Sequence, residues 1–348
     1  MIGKTLCETR GRRDRPSIVL AGPRQDRSGM GGVVVLFEDL CREMPNVATI
    51  DTNAKNYSHQ VAMTLRFVLS CIKAALRGKT VALHGTARDF QYLGLILLAF
   101  SLLFGLRYHT RKFAGDFDKF YEALPKFWRW TTRHYLRRSD VNFFETQHLT
   151  QYFSEFNPRT EWFPNYRPDS SYLTPNTFTG RFVYLGQVRK EKGIEEVLSL
   201  DGHLPEGWTI DVYGPLMGYS QNSFPGVQIH YKGTVEPSCV PRILSQYNGL
   251  LLFSTREGYP GVLIEAFSVG LPVIVTNLPT IREMVAPSCG ELLEFPDREA
   301  VLKAMQKVEV QYSDKRTAAK YHFSTFRKDV VLSRYFSRIG LDVQGAEE

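Results

Sequence analysis

The sequence predicts an α/β protein of two Rossmann-like, doubly wound parallel-sheet domains facing a central cleft. Three observations predict it. Short apolar runs alternate with helix-period segments along both halves, the pattern of parallel strands joined by crossover helices. At 348 residues the chain exceeds one ordinary core, since domains hold roughly 100–200 residues. The stretch Asn165–Gly180, rich in Pro, Ser and Thr, has no period and divides the alternation. Ligands of such sheets bind outside the carboxyl ends of the strands, so candidate residues are sought there.

Taken in order, Ser17–Gly22 reads as a buried strand after a basic leader. A Gly-rich loop, 23–32, precedes an amphipathic helix from Val33 to about Met44. Val61–Leu76 has apolar positions three and four apart and predicts a helix. Thr80–Leu83 is a strand ending at His84, and Leu106–Phe113 another. Between them the apolar run Leu93–Leu106, 14 residues, is shorter than the roughly 20 a membrane span needs and predicts a core helix. Lys119–Arg138 is a helix broken near Pro125, and Val141–Phe144 closes the half. Beyond the linker, strands are predicted in RFVYLG, WTIDVYG, VQIHYKG, GLLLFS and PVIVTN, with helices starting near Ile194, Pro237, Val262, Ile281 and Arg298. The domains are therefore 1–164, a linker 165–180, and 181–320.

The apolar share, 43%, and the charged share, 23%, are those of a globular chain and exclude a disordered or fibrous one. Net charge is +7, unevenly spread. Residues 1–170 hold 25 bases against 16 acids and 171–348 hold 18 against 20, so an acidic partner is expected at the front half. Five scattered cysteines without a CxxC pair predict free thiols in a reducing compartment. With no apolar stretch near the N-terminus, a cytoplasmic chain without an anchor is expected.

The most informative segment is EGYPGVLIEAFSVGLPVIVT, from Glu257 to Thr276. It leaves a strand, turns, enters a short helix and exits to another strand. Glu257 lies in the turn and Glu265 about one turn into the helix. Free first-turn amides around Gly261–Ile264 suit a phosphate or sugar oxygen, and a nearby carboxylate suits hydroxyls. A surface pair of acids on a helix cap is the plainer reading. The segment resembles the Glu-x7-Glu signature of the retaining GT-B glycosyltransferases of family four (glycosyl transferases group 1), and the likeness extends through EAFSVGLPVIVT. The resemblance implies that Glu257 and the backbone of Gly258, Tyr259, Pro260, Gly261 and Val262 hold a donor sugar. It implies that Glu265 meets the ribose. It also implies that 321–348 forms a closing helix packed on the first domain.

In YLGQVRKEKGIEEVL a lysine, Lys192, and a helix start converge after a strand, which suits a diphosphate. The resembling family often has arginine where Gln187 stands; Arg189, two residues on, is the candidate second cation, and a solvated charged loop is the alternative for both. Ser28–Gly32 (SGMGG) is a second anion-suited turn, and by the resemblance Gly31 and Gly32 face the donor. His84 and His109 lie near predicted strand ends; a lone histidine is more often structural, but both are candidates here, His109 as a catalytic group. His84 is an acceptor-side candidate from its place at a strand end. RKFAGDFDKFY resembles a segment of polysaccharide-assembling members, and Asp116 in it is an acceptor-side candidate for contact with acceptor or donor hydroxyls. Asp116-Phe117-Asp118 also spells a DxD metal motif. Lys192 already supplies the charge such an ion would bring, so DxD is read as coincidence, with no metal and no cofactor expected. Lys119–Arg138, with six bases, one Glu and clustered Phe, Trp and Tyr, fits a solvated basic face, an anionic membrane surface or a nucleic acid. The resemblance favours the membrane.

Together these readings predict a retaining hexosyltransferase. It would move sugar from a UDP- or GDP-sugar, its substrate rather than a cofactor, to a lipid-linked glycan in cell-surface polysaccharide biosynthesis. It would act in the cytoplasm, peripherally at the inner membrane face, without nucleic acid. A sugar-nucleotide epimerase on the same fold and a non-enzymatic basic binder are the rivals; a pyridoxal-type phosphorylase would be far longer.

Overall fold

The computed structural model, which describes residues 18–26, 32–44, 46–113, 115–224 and 226–341, turns the apolar runs into strands covered on both faces. The described chain forms two units. One holds the residues up to Pro164 and those from Leu332 on, the other Asn165–Val331.

In the first unit β1 (Ile18–Gly22), α1 (Gly32–Glu43), β2 (Ala48–Asp51), α2 (Gln60–Leu76), β3 (Thr80–Gly85) and α3 (Ala87–Phe104) follow one another. Then come β4 (Tyr108–Lys112), α4 (Phe117–Glu122), α5 (Lys126–Arg138), β5 (Asn142–Phe144), α6 (Gln147–Ser154) and β6 (Thr160–Trp162). The six strands are parallel in the order β2-β1-β3-β4-β5-β6. The order steps back once, from β1 to β2, then runs one way. Right-handed crossovers therefore put α1 on one face and α2 to α6 on the other. Met63, Phe67, Leu93, Leu97, Tyr135 and Phe153 build the core on that second face. α3 starts at Ala87, earlier than expected, because Asp89 Oδ2 accepts from Thr86 N at 2.7 Å and Thr86 Oγ1 at 2.8 Å, a cap at the helix start. It ends at Gly105, whose φ of +66 breaks the helix. By length and composition α3 could cross a membrane; here Phe90, Leu93, Leu97 and Leu98 pack it on the sheet. Pro125, unable to continue a helix, separates α4 from α5.

The second unit contains β7 (Arg181–Leu185), α7 (Ile194–Leu198), β8 (Thr209–Tyr213), β9 (Ile229–Gly233), α8 (Val240–Leu244) and β10 (Gly249–Leu252). It continues with α9 (Gly261–Ser268), β11 (Val273–Thr276), α10 (Pro279–Arg282), β12 (Gly290–Leu293), α11 (Arg298–Val310) and α12 (Tyr312–His322). α13 (Lys328–Arg338) begins in this unit and belongs to the first from Leu332 on. The sheet is again parallel, in the order β12-β11-β10-β7-β8-β9. The reversal of order lies between β10 and β7.

Two boundaries differ from expectation. Residues 165–180 are irregular but do not form a free linker. Thr174 is buried and bonds to Val269 O and Gly270 O, and Thr179 bonds to Asn248. The second unit runs to Val331 rather than 320, because Phe323 and Phe326 are buried and His322 Nε2 lies 2.7 Å from Met284 O.

Candidate active site

β7 and β10 are adjacent and parallel, so the loops that follow them leave the same edge of the second sheet side by side. The β7 loop ends in a tight turn, Lys190–Lys192, closed by Gly193 at φ +77. A Cβ there would stand 2.3 Å from Phe253 O, so only glycine lets this turn press on the end of β10. Thr255 N donates to Glu191 O at 3.0 Å and ties the loops together. Lys192 Nζ consequently meets Glu257 Oε1 at 2.6 Å. Ser254 Oγ donates to the same oxygen at 2.6 Å, and Thr280 Oγ1, from α10, donates to Glu257 O at 3.0 Å. The Glu257 side chain is 8% exposed and that of Lys192 22%, so the ammonium is the half of the pair open to a ligand. Burial, with the Glu257 charge nearby, pushes the Tyr184 hydroxyl upward, and it donates to Gln187 O at 2.7 Å.

From Glu257 the chain passes Gly258 to the buried Tyr259 and Pro260, then enters α9 at Gly261 and Val262, both half-buried. Asn165 Nδ2 donates to Tyr259 O at 3.0 Å and fixes the loop. Glu265 sits one turn into α9 and pairs with Arg167 Nε at 2.7 Å. Gly261 leaves room for that arginine: a Cβ would lie 2.2 Å from Arg167 Nη2. The Arg167 backbone is pinned by its N–H to Phe326 O and its carbonyl to Lys328 N. Asn165, Arg167, Ser254 and Thr280 were not singled out from the sequence. Arg167 stands in the stretch read as a linker, and its one signal was being the single base there.

Gln187 is exposed, while Arg189 is half-buried. Arg189 Nε is buried without a hydrogen-bond partner, 3.9 Å from the Glu191 carboxylate. A buried guanidinium N–H without an acceptor is costly, and an anion at this edge would satisfy it.

The first-unit candidates fare differently. Gly31 lies outside the described residues. Gly32 opens α1, and a Cβ there would meet nothing within 4 Å. His109 is corrected from the catalytic position expected: it is the second residue of β4, so the carboxyl end falls at Lys112 instead. Both histidines are buried on the face covered by the chain from Leu332 on, His84 Nε2 at 3.1 Å and His109 Nε2 at 3.5 Å from Tyr335 Oη. Burial holds His84 well below its ordinary value and pushes His109 down to about 3. Asp116 is half-buried at the start of α4, and Asp118 Oδ2 is 2.9 Å from His148 Nε2, a local contact. At the carboxyl end of β4 stands Lys112, buried and pushed down to about 8 by that burial against the pull of Glu145, Asp116 and Asp89. Among the described residues no three His, Cys, Asp or Glu are grouped to hold a metal ion. Their cysteines are free, and burial raises Cys41 and Cys289 to about 11 and Cys71 to about 12.

An edge presenting a lysine, an arginine as second cation, helix-start amides and an acid one turn on is equipped to hold an anionic, hydroxyl-bearing ligand. Residues 175–322 match the family described as glycosyl transferases group 1. A curated relative, an uncharacterized 41.2 kDa protein in the cps region of Klebsiella pneumoniae, is 23% identical over 157 residues. That match spans 44% of this chain and 44% of the relative. Among solved structures, a lipopolysaccharide outer core galactosyltransferase, WaaB in its apo form, matches with a TM-score of 0.67 at 13% identity, over 93% of this chain and 99% of that one. Anabaena Alr3699/HepE in complex with UDP matches with a TM-score of 0.70 at 12% identity, with the same coverage. At such identities the likeness is one of fold, and both are two-sheet GT-B proteins like this one. Residues 175–322, within the second unit, are thus a domain of the glycosyl transferases group 1 family, in a chain with the GT-B fold.

Proposed function

We propose that this chain is a retaining hexosyltransferase that moves a sugar from a UDP- or GDP-sugar to a glycan acceptor. The observation that carries the reading is the meeting of Lys192 and Glu257 at 2.6 Å, on the edge where Arg189 Nε is buried without a hydrogen-bond partner. Lys192 and Arg189 take the diphosphate, and no metal is needed to offset the charge that grows on it as the glycosidic bond breaks. Glu257 holds the lysine in place and, with the backbone of Gly258–Gly261, orients the sugar. Glu265 accepts from the ribose hydroxyls, with Arg167 fixing its rotamer. No side chain at this edge is an evident nucleophile, so retention follows from acceptor attack on the face the diphosphate leaves. Similar folds that include a galactosyltransferase of the lipopolysaccharide outer core and a protein bound to UDP support a sugar-nucleotide donor. A relative from a cps region supports cell-surface polysaccharide assembly. The acceptor on this reading is lipid-linked, and the enzyme works in the cytoplasm with segment 119–138 toward an anionic membrane surface.

Calorimetric titration with UDP and GDP, with and without magnesium, tests the donor half. Binding of one nucleotide without metal, weakened at least about ten-fold in Lys192→Ala and Glu265→Ala, is the expected result. Binding by neither, from folded protein, overturns it. Product analysis with the matching sugar nucleotide separates transfer from epimerisation, since an epimerase converts the donor with no acceptor present.

A further inference from the structure

α2 exposes an apolar stripe along its full length: Val61, Leu65, Leu69, Ile72 and Leu76, the last 82% exposed. The opposite side of the same helix, Met63, Phe67, Cys71 and Ala74, is buried in the core, so both faces of α2 are apolar and one has no cover among the described residues. A helix apolar all round is normally buried. The neighbouring α3 adds Leu102, Leu103 and Phe104 at its exposed C-terminal end. Of the 18 large apolar residues exposed among the described residues, 11 lie on α2, α3 and α5. One face of one unit therefore carries most of them, a concentration well beyond scattered exposure.

The charges on α2 and α5 are of one sign, since neither helix contains an acid. Arg66, Lys73 and Arg77 each follow a stripe residue directly. α3 touches both α2 and α5, and Arg138 of α5 reaches Ser101 at the apolar end of α3, so the face is continuous. Beside it lies an open pocket of about 420 Å³, into which Arg133 and Arg137 of α5 and Arg159 bring three guanidinium groups against the single acid Glu155.

We propose that this face docks on an anionic lipid bilayer, the α2 stripe and the end of α3 entering the acyl boundary and the arginine pocket taking lipid phosphates. The main competing occupant is a second copy of the chain. A two-fold pairing brings the same patch against itself, which would set Arg66, Lys73 and Arg77 of one copy against the same basic set of the other, with no acid on α2 to meet them. Like charges so placed oppose association. An anionic surface removes that conflict, and apolar insertion with flanking bases is how interfacial helices bind. The proposal goes beyond the donor-site reading and stands without it, since docking is measured with no sugar nucleotide present.

The test is sedimentation of the whole chain with phosphatidylcholine vesicles and with phosphatidylcholine–phosphatidylglycerol vesicles. Binding to the anionic vesicles alone is expected. Leu65→Gln with Leu69→Gln should weaken it about ten-fold, and Arg133→Glu with Arg137→Glu should remove the preference for anionic lipid. Circular dichroism melts matching the parent establish that both variants are folded. No binding to either vesicle, or unchanged binding by both variants, overturns the proposal. So does light scattering that finds a dimer which the leucine variant converts to monomer, because the second copy is then the occupant. Free inorganic phosphate competing as well as vesicles at the pocket would reduce it to a soluble-anion site and equally refute docking.

Discussion

Glu257 is held from three segments: Lys192 and Ser254 bond its carboxylate and Thr280 its carbonyl. Replacing Lys192 by methionine keeps the stem but leaves a nearly buried carboxylate with only Ser254 on that oxygen. We expect unfolding free energy to fall by about 2 kcal/mol, measured in urea, because a charged hydrogen bond is lost at low exposure. A change below about 0.5 kcal/mol would mean that solvent screens the pair. The histidines of the first unit predict a pH dependence. An unfolded imidazole titrates near 6.5, whereas burial holds His84 well below that and His109 at about 3. Between those values the unfolded chain binds the protons, so the stabilisation is present above pH 6.5 and is lost as pH falls toward 3. Melting followed from pH 7 to pH 4 should show a progressive drop, smaller in His109→Leu; equal drops in both proteins would contradict it. The histidines looked like site residues because a sequence shows neither where a strand starts, which put His109 near the beginning of β4 while His84 does stand near the end of β3, nor which face Tyr335 covers.

At the scale of elements, α2 allows its two faces to be compared within one helix. Phe67→Ala, on the buried face, should cost about 3–5 kcal/mol by opening a cavity. Leu65→Gln, four-sevenths exposed and without a core contact to lose, should change stability by no more than about 0.5 kcal/mol. Thermal melts of the two variants decide it, and comparable losses would mean that the stripe is covered. Helices with strong periods were legible: α1 and α2 lie within a residue of their expected limits, and the break at Pro125 falls where proline chemistry puts it. The elements missed are β2, β6, β12, α6 and α12. The three strands are short and lie at sheet edges, where one neighbour is lacking and polar residues are tolerated, so Ala48–Asp51 and Thr160–Trp162 carry no apolar run to read. α12, YSDKRTAAKYH, buries only Tyr312, Lys315 and Ala319, too few to make a period.

For the whole molecule, two units with separate cores predict two calorimetric transitions. On the donor-site reading, nucleotide at about 100 times its Kd adds about 2.7 kcal/mol to the unit Asn165–Val331 and leaves the other transition in place. A single transition that moves as one would show that the units unfold together. The division near Pro164 was readable because a stretch without period interrupts two alternating patterns, and so was the turn carrying Glu257, because its residues and spacing are local in the chain. Whether that turn meets Lys192 was not readable: the two residues are 65 positions apart, and only the pairing of β7 with β10 brings them to 2.6 Å. The same holds for Arg167, which reaches Glu265 across 98 positions from a segment with no pattern. Sequence by itself determined what each short segment becomes, since propensity, period and turn chemistry act over a few neighbours. Tertiary structure decided which side chains become partners and which faces stay open, since those depend on strand order and packing between residues the chain keeps far apart.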